Sequence, residues 1–299
     1  MATAYIKNVI TISKERRNMK RIKNLLKFIT VCSLGLTLTA CGGKAPETKI
    51  LGTKDGDVTV LKLGVNGTDY RVWDDVNERL KEYNIKLDIV SFSDYIKPNE
   101  ALNDGEIDLN AFQTKIYLED YNKKHNMDLQ ILNYTSIAPM GAYSNKIKDI
   151  KEVKDGAKVA IPNDATNGGR ALQLLSSLEL ITLKDPLNLT PTVKDIEKNP
   201  HNLSIVEMAA GQIPRSLDDV DFAIINNGVA YQAGLTLKDS AIAVENIDGP
   251  TAENYYNVIA VRKENINDEV LQKVKEVYTS EATRDIINKV FGGQSIPVF

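Results

Sequence analysis

Two cysteines, two histidines and one tryptophan in 299 residues leave this chain short of the side chains on which many enzymes rely. Cys32 and Cys41 both fall near the N-terminus, so a body folded from the residues after Cys41 holds no thiol. That excludes disulfides, thiolate catalysis and cysteine-based zinc sites in the body. His125 and His201 lie in polar stretches, and the sequence contains neither Gly-x-Ser-x-Gly nor His-Glu-x-x-His. A P-loop with its Lys-Ser/Thr ending and the Rossmann glycine pattern are missing too, so no cofactor and no metal is expected. After the N-terminal segment no apolar run approaches the roughly 20 residues of a membrane span.

Positive charge is scarce once the N-terminus is set apart. Residues 1–40 carry eight Lys or Arg and one acid, Glu15, from totals of 37 and 40. The remainder keeps 29 bases against 39 acids, a net charge of −10. Nucleic-acid binding asks for the opposite sign, and no nucleic-acid partner is expected.

What the chain does have at its start is an ordered series. Lys20, Arg21, Lys23 and Lys27 form a basic region, residues 25–38 are mostly apolar, and Leu38-Thr39-Ala40-Cys41 follows. The apolar run has the length of a signal core and is short for a span. The four closing residues resemble a bacterial lipobox, so residues 1–40 are expected to be removed and Cys41 to carry lipid. Residues before Met19 read as an upstream start or a leader. The expected location is the extracytoplasmic side of the cell membrane, with residues 41–57, polar and without apolar period, as a flexible tether.

From residue 58 the pattern alternates. Strands are expected at 58–65, 85–92, 107–112 and 129–134, with helices at 70–83, 94–103 and 114–126 between them. In the first helix Val72, Trp73, Val76 and Leu80 recur at helical spacing, with Asp69 as an N-cap. A second series has strands at 158–161, 203–207, 221–226 and 241–244 and a helix opening near Gly168. A last strand at 257–262 precedes helices at 268–278 and 281–291, the latter stopped by Gly292-Gly293. Strands separated by helix-length segments indicate parallel βαβ units in an α/β protein. The two series suggest two lobes, the first of residues 58–138 and 254–299 and the second of 139–253. Sites in such folds gather at the carboxyl ends of strands and between lobes.

Three segments there carry the chemistry. Ile161 to Leu172 joins a strand to a helix and contains Asn167, Gly168, Gly169 and Arg170. Glycines at a helix start admit a ligand to backbone amides, and Arg170 offers a planar fork to a carboxylate or phosphate; a glycine turn beside a surface arginine is the alternative. Asn226 and Asn227 sit at the carboxyl end of one strand and Asn257 begins another. An amide can accept from an ammonium and donate to a carboxylate, although Asn also suits turns and the residues alone favour that reading. Phe112 and Tyr117 flank a strand-to-helix junction and could clamp an apolar group, or simply be core.

Together these segments resemble the NlpA/MetQ family of lipoproteins, methionine-binding components of ABC importers. The resemblance runs over nearly the whole mature chain. It is densest at residues 94–102 (Asp-Tyr-Ile-Lys-Pro-Asn-Glu-Ala-Leu), 108–118, 161–172, 214–219 (Pro-Arg-Ser-Leu-Asp-Asp) and 256–259 (Tyr-Asn-Val-Ile). It implies a two-lobed type II periplasmic-binding-protein-like fold, each lobe a mainly parallel sheet flanked by helices, closing as a monomer on an amino acid or short peptide for delivery to a membrane permease. Arg170 would take the ligand carboxylate, and Asn226 and Asn257 the other backbone groups, with Asn167 and Gly169 beside them. Tyr95, Phe112, Thr114, Tyr117, Ser136 and Ala138 would line the side-chain pocket, with Tyr70 or Trp73 filling spare room. Thr114, Ser136 and Ala138 depart from the family, which commonly has His at the first and, in its methionine binders, aromatic or polar groups at the others. An enzyme built on the same scaffold and a surface adhesin with a vestigial cleft are the competing readings, weakened by the missing nucleophile–base pair and the retained anchors.

Overall fold

A computed structural model describes residues 51–299, so the signal, Cys41 and most of the tether lie outside the described residues. The chain begins with β1 (Thr53–Asp55), β2 (Val58–Asn66), α1 (Arg71–Leu80), β3 (Ile85–Phe92), α2 (Lys97–Asp104), β4 (Leu109–Thr114), α3 (Lys115–His125) and β5 (Leu129–Ile137). It continues through β6 (Gly141–Tyr143), β7 (Lys158–Pro162), α4 (Ala165–Ser177), β8 (Thr182–Leu183), β9 (Ile196–Lys198), β10 (Ser204–Met208), β11 (Phe222–Ile225), α5 (Asn227–Gln232) and β12 (Ala241–Val244). It closes with β13 (Tyr256–Arg262), α6 (Glu269–Tyr278), α7 (Glu281–Phe291) and β14 (Ile296–Pro297).

β2 is a β-branched and leucine run buried on both faces. It pairs in parallel with β3 and β4, which puts its carboxyl end beside theirs. In α1 the four residues at helical spacing, Val72, Trp73, Val76 and Leu80, are all buried, packing with Leu61, Leu63 and Val65 of β2. The helix starts one residue later than an Asp69 cap would require. Asp69 instead accepts from the Arg71 backbone N–H at 3.2 Å and pairs with its guanidinium.

β2, β3, β4 and β5 share one direction, but the order β2-β4-β13-β5 inserts β13 antiparallel between β4 and β5. The expectation of a mainly parallel sheet holds for those four strands and not for β13, for a geometric reason. The chain leaves the first sheet at the carboxyl end of β5, crosses to the second sheet, and comes back to the same end, so the returning strand must run the other way. The second sheet, β10-β7-β11-β6-β12, repeats the device: β7, β10 and β11 are parallel, and β6, fresh from the crossover, is antiparallel to β11. Its core packs Val159 and Ile161 of β7 and Phe222 and Ile224 of β11 against Leu172 and Leu175 of α4.

Other differences from the sequence reading are local. Residues 53–55 of the expected tether pair with β2. The Asp108 carboxylate holds them there by accepting from Gly52 N–H at 2.9 Å and Lys62 N–H at 2.8 Å. α4 opens at Ala165 rather than near Gly168, because Asp164 caps it by accepting from Asn167 N–H at 2.8 Å. β6, β8, β9, β14 and α5, each six residues or fewer, were not anticipated.

Candidate functional site

The carboxyl ends of β2, β4 and β5, Ala138 just after β5, Asn257 at the start of β13 and the starts of α4 and α5 line a cavity of about 250 Å³. That is smaller than the roughly 300–1,000 Å³ of sites for drug-sized molecules, and suits a small ligand. Arg170, Asn226, Asn257, Tyr95, Phe112, Thr114, Tyr117, Ser136, Ala138 and Asn167 all line it. Two expected residues do not. Tyr70 packs, half-buried, against the core beneath α1. Gly169 lies inside α4 facing the chain at residues 190–191, where an added Cβ would come within 2.8 Å of the Thr190 Cα. Gly168 is equally tight: its Cβ would sit 2.7 Å from the Pro162 carbonyl oxygen. The glycine pair therefore serves close packing of α4 and does not present amides to a ligand.

Arg170, one turn into α4, is 4% exposed. Its Nε and Nη2 donate to the Glu245 carboxylate at 2.7 and 2.6 Å, Nη2 also donates to the Ala138 carbonyl at 3.0 Å, and its guanidinium lies 4.4 Å from the centre of the Tyr255 ring. The expected two-point fork is thus already taken, by an acid the sequence reading missed. Nη1 makes no hydrogen bond among the described residues and is the nitrogen left for the cavity. Burial pushes the Tyr255 phenol above its usual range, and the Arg170 charge opposes that only in part. The phenol stays neutral.

Asn226 stands at the N-cap position of α5 but caps nothing. Its Nδ2 donates to Asn167 Oδ1 at 2.7 Å, while Asn167 Nδ2 is held by both Asp164 oxygens at 3.0 Å. That chain fixes the orientation of Asn226 and leaves its Oδ1 buried with no hydrogen-bond partner among the described residues. A buried acceptor without a donor costs about 1–3 kcal/mol. Asn257 Nδ2 donates to the Ser136 carbonyl at 3.1 Å. Ser136 and Ala138, expected in the side-chain wall, therefore touch Asn257 and Arg170 through their carbonyls.

The opposite wall is aromatic. Tyr95, Phe112 and Tyr117 have ring centres 6.0–6.2 Å apart, two of the three pairs edge-to-face. Tyr117 OH donates to the Tyr95 carbonyl at 2.8 Å. Desolvation raises both phenols well above the usual tyrosine range, so the wall is uncharged at any ordinary pH. Behind Phe112, Asn99, Asn110 and Gln113 form a buried amide network with bonds of 2.7–3.0 Å that locks β4 to α2.

Sequence reading placed neither Asp69 nor Ser295 on the cavity, where both lie, together with Asn227. Asp69 is paired with Arg71, whose Nη2 also donates to Tyr231 OH at 2.6 Å, and the Arg71 guanidinium holds the Asp69 carboxyl below its usual range. Ser295 Oγ donates to Ser136 Oγ at 2.8 Å, and Gln294 accepts from Leu237 N–H at 2.9 Å and from Asn227 Nδ2. No local signal marked these contacts. For Glu245 there was one, an acid directly after a strand.

A cavity between two α/β sheets joined by two crossovers, with polar anchors on one side and an apolar wall on the other, defines a two-lobed substrate-binding protein of the type II periplasmic class. The NlpA lipoprotein family model matches residues 61–299, and the chain belongs to that family. The D-methionine-binding lipoprotein MetQ of Salmonella typhi is 40% identical over 279 residues, covering 90% of this chain and 98% of its own. A nutrient-binding protein from Burkholderia cenocepacia, solved bound to methionine, superposes with a TM-score of 0.76 at 36% identity, covering 80% of this chain and 100% of that one. Protein PG110 from Staphylococcus aureus gives 0.78 at 43% identity, over 80% and 94%. Among the described residues no helix is long and apolar enough to cross a membrane.

Proposed function

We propose that the chain is the lipid-anchored, extracytoplasmic binding component of an ABC importer, taking methionine or a close relative between its sheets and handing it to a permease. It acts as a monomer and turns nothing over. The ligand carboxylate meets Arg170 Nη1, its ammonium donates to Asn226 Oδ1, and its side chain lies against Tyr95, Phe112 and Tyr117. The observation that carries this is the orphaned, buried Asn226 Oδ1 in the same cavity as the free Arg170 nitrogen. A zwitterion supplies the donor that one lacks and the acceptor that the other lacks. The thioether needs no polar partner in the uncharged aromatic wall, whereas a charged side chain would be desolvated without compensation.

Native mass spectrometry of the protein as purified tests the ligand: the mass of methionine or a near relative should be released on denaturation. Calorimetry should then show binding of methionine and none of aspartate, lysine or sugars. Strong binding of a charged amino acid or a sugar, with none of methionine, would overturn the reading. For the anchor, Cys41→Ser should release the protein from the membrane fraction with affinity intact, since the lipid chains and not the acidic body hold it there.

A further inference from the structure

The proposed function leaves Glu245 outside the ligand's reach, yet its surroundings are more elaborate than an ion pair needs. Glu245 follows β12 at the start of the return crossover. Its two oxygens take both Arg170 bonds, and Oε2 also accepts from Met140 N–H at 2.8 Å on the outgoing crossover. Its own backbone N–H donates to the Met140 carbonyl at 2.9 Å. Arg170 answers by donating to Ala138 of the same outgoing segment at 3.0 Å. The side chains of the pair are 4% and 12% exposed, so little water screens them.

Two consequences follow from this arrangement. Position comes first: with Nε and Nη2 held and the Tyr255 ring beneath it, the guanidinium cannot swing, and Nη1 is presented at a fixed place. Charge comes second: Arg170 is cancelled by Glu245, and Asp69 on the cavity by Arg71 outside it, while the Asp164 carboxylate behind Asn167 adds an anion. The anchor side of the cavity has no net positive charge with which to demand an anion.

We propose that Glu245 is a positioning residue for Arg170 that also sets the charge the site accepts, so that a free ligand carboxylate is favoured by one hydrogen bond and not by an uncompensated cation. The ligand class then extends to amino acids with a neutral, blocked carboxyl group. This inference rests on the proposed function, because it assigns Arg170 to the carboxylate end of an amino acid.

The test compares L-methionine with L-methioninamide, which keeps the ammonium and the thioether and replaces the carboxylate by a neutral amide. In the wild type the amide should bind about 10–100-fold more weakly, the value of one charge-assisted hydrogen bond. Glu245→Gln keeps the shape and an acceptor for Met140 N–H while freeing the Arg170 charge. In that variant the preference for the carboxylate over the amide should widen by about tenfold or more, because the unscreened cation now faces the anion. A purely structural Glu245 would weaken both ligands alike and leave the ratio unchanged, which overturns the assignment. If Glu245→Gln does not fold, the wild type still decides: rejection of the amide by more than about 1,000-fold is more than one hydrogen bond supplies and sinks the proposal. Failure of the wild type to bind methionine at all would instead overturn the proposed function, and this inference with it.

Discussion

The two ends of the cavity are built in different ways. At the aromatic end, Phe112 and Tyr117 come from one continuous stretch across β4 and α3, and Tyr95 from the loop before α2; their positions follow from local structure and a small amide network. At the anchor end, Arg170, Glu245, Asn226 and Asn257 come from four separate places in the chain and meet only because both crossovers pass there. The aromatic end offers shape and no charge, and the anchor end offers fixed hydrogen bonds and a cancelled charge. An amino acid needs both: its backbone groups are common to all amino acids, while its side chain separates one from another. Binding strength should therefore be concentrated at the anchor end and selectivity at the aromatic end.

Substitutions can break that division, and the largest effect should come from Arg170→Ala. Removing one partner of a buried pair costs about 2–5 kcal/mol of binding. Because Arg170 also pairs with buried Glu245, its loss reaches the fold as well as the ligand. Leaving that carboxylate buried and unpaired should cost about 3–5 kcal/mol of stability, visible as a lower melting temperature without ligand. A melting temperature equal to the wild type would mean that the Glu245 pair does not persist in solution.

Asn226→Ala should come next. It deletes the acceptor for the ammonium, worth about 1.5–3 kcal/mol for a bond to a charged group. Stability should fall by about 1 kcal/mol, because the Asn226 Nδ2 bond to Asn167 Oδ1 is lost, although the deleted Oδ1 has no protein partner of its own. Calorimetry showing unchanged affinity would place the ammonium elsewhere.

Phe112→Ala should have a smaller and different effect. Affinity for methionine should fall by about 1–3 kcal/mol while affinity for alanine stays level, so that the ratio between them collapses. Equal losses for both would show that the two ends are not separable.

The smallest effect concerns Asp69. Its carboxyl is held below its usual value, 3.8, chiefly by the Arg71 side chain. A depressed carboxylate adds stability that is fully present above the unfolded value and is lost as pH falls through the folded one. Asp69→Asn should thus lower stability at neutral pH, by less than about 1 kcal/mol because Arg71 is largely exposed and water screens the pair. The difference from the wild type should vanish well below pH 3.8 in urea titrations. A gap that persisted in acid would mean that packing, and not charge, holds the loop.

How much of this was legible beforehand depended on distance along the chain. β3, β12 and α7 were read to the residue because apolar runs and periods are local. Arg170 stood out by residue type after a strand, whereas Asn226 and Asn257, which alone read as turn residues, were singled out by the family resemblance. Glu245, by contrast, is one acid among many, and its partner is 75 positions away. β6 and β14, three and two residues long, carry no period at all and exist because of what lies beside them. The glycines at 168 and 169 were misread for a related reason: the demand for a missing Cβ comes from Pro162 and from the chain at residues 190–191, which no spacing rule announces.

The insertion of β13 between β4 and β5 bears on how the molecule can assemble. The strand that fills the middle of the first sheet arrives only after the whole second sheet has been laid down. Until residues 256–262 are available, β4 and β5 have no common neighbour, and the core around Val258 and Ile259 cannot close. Contacts so distant in sequence slow the search for the native state, because a long loop must be closed before they contribute. The first half of the chain should therefore not hold a stable fold by itself, and chemical denaturation should melt both sheets in one transition.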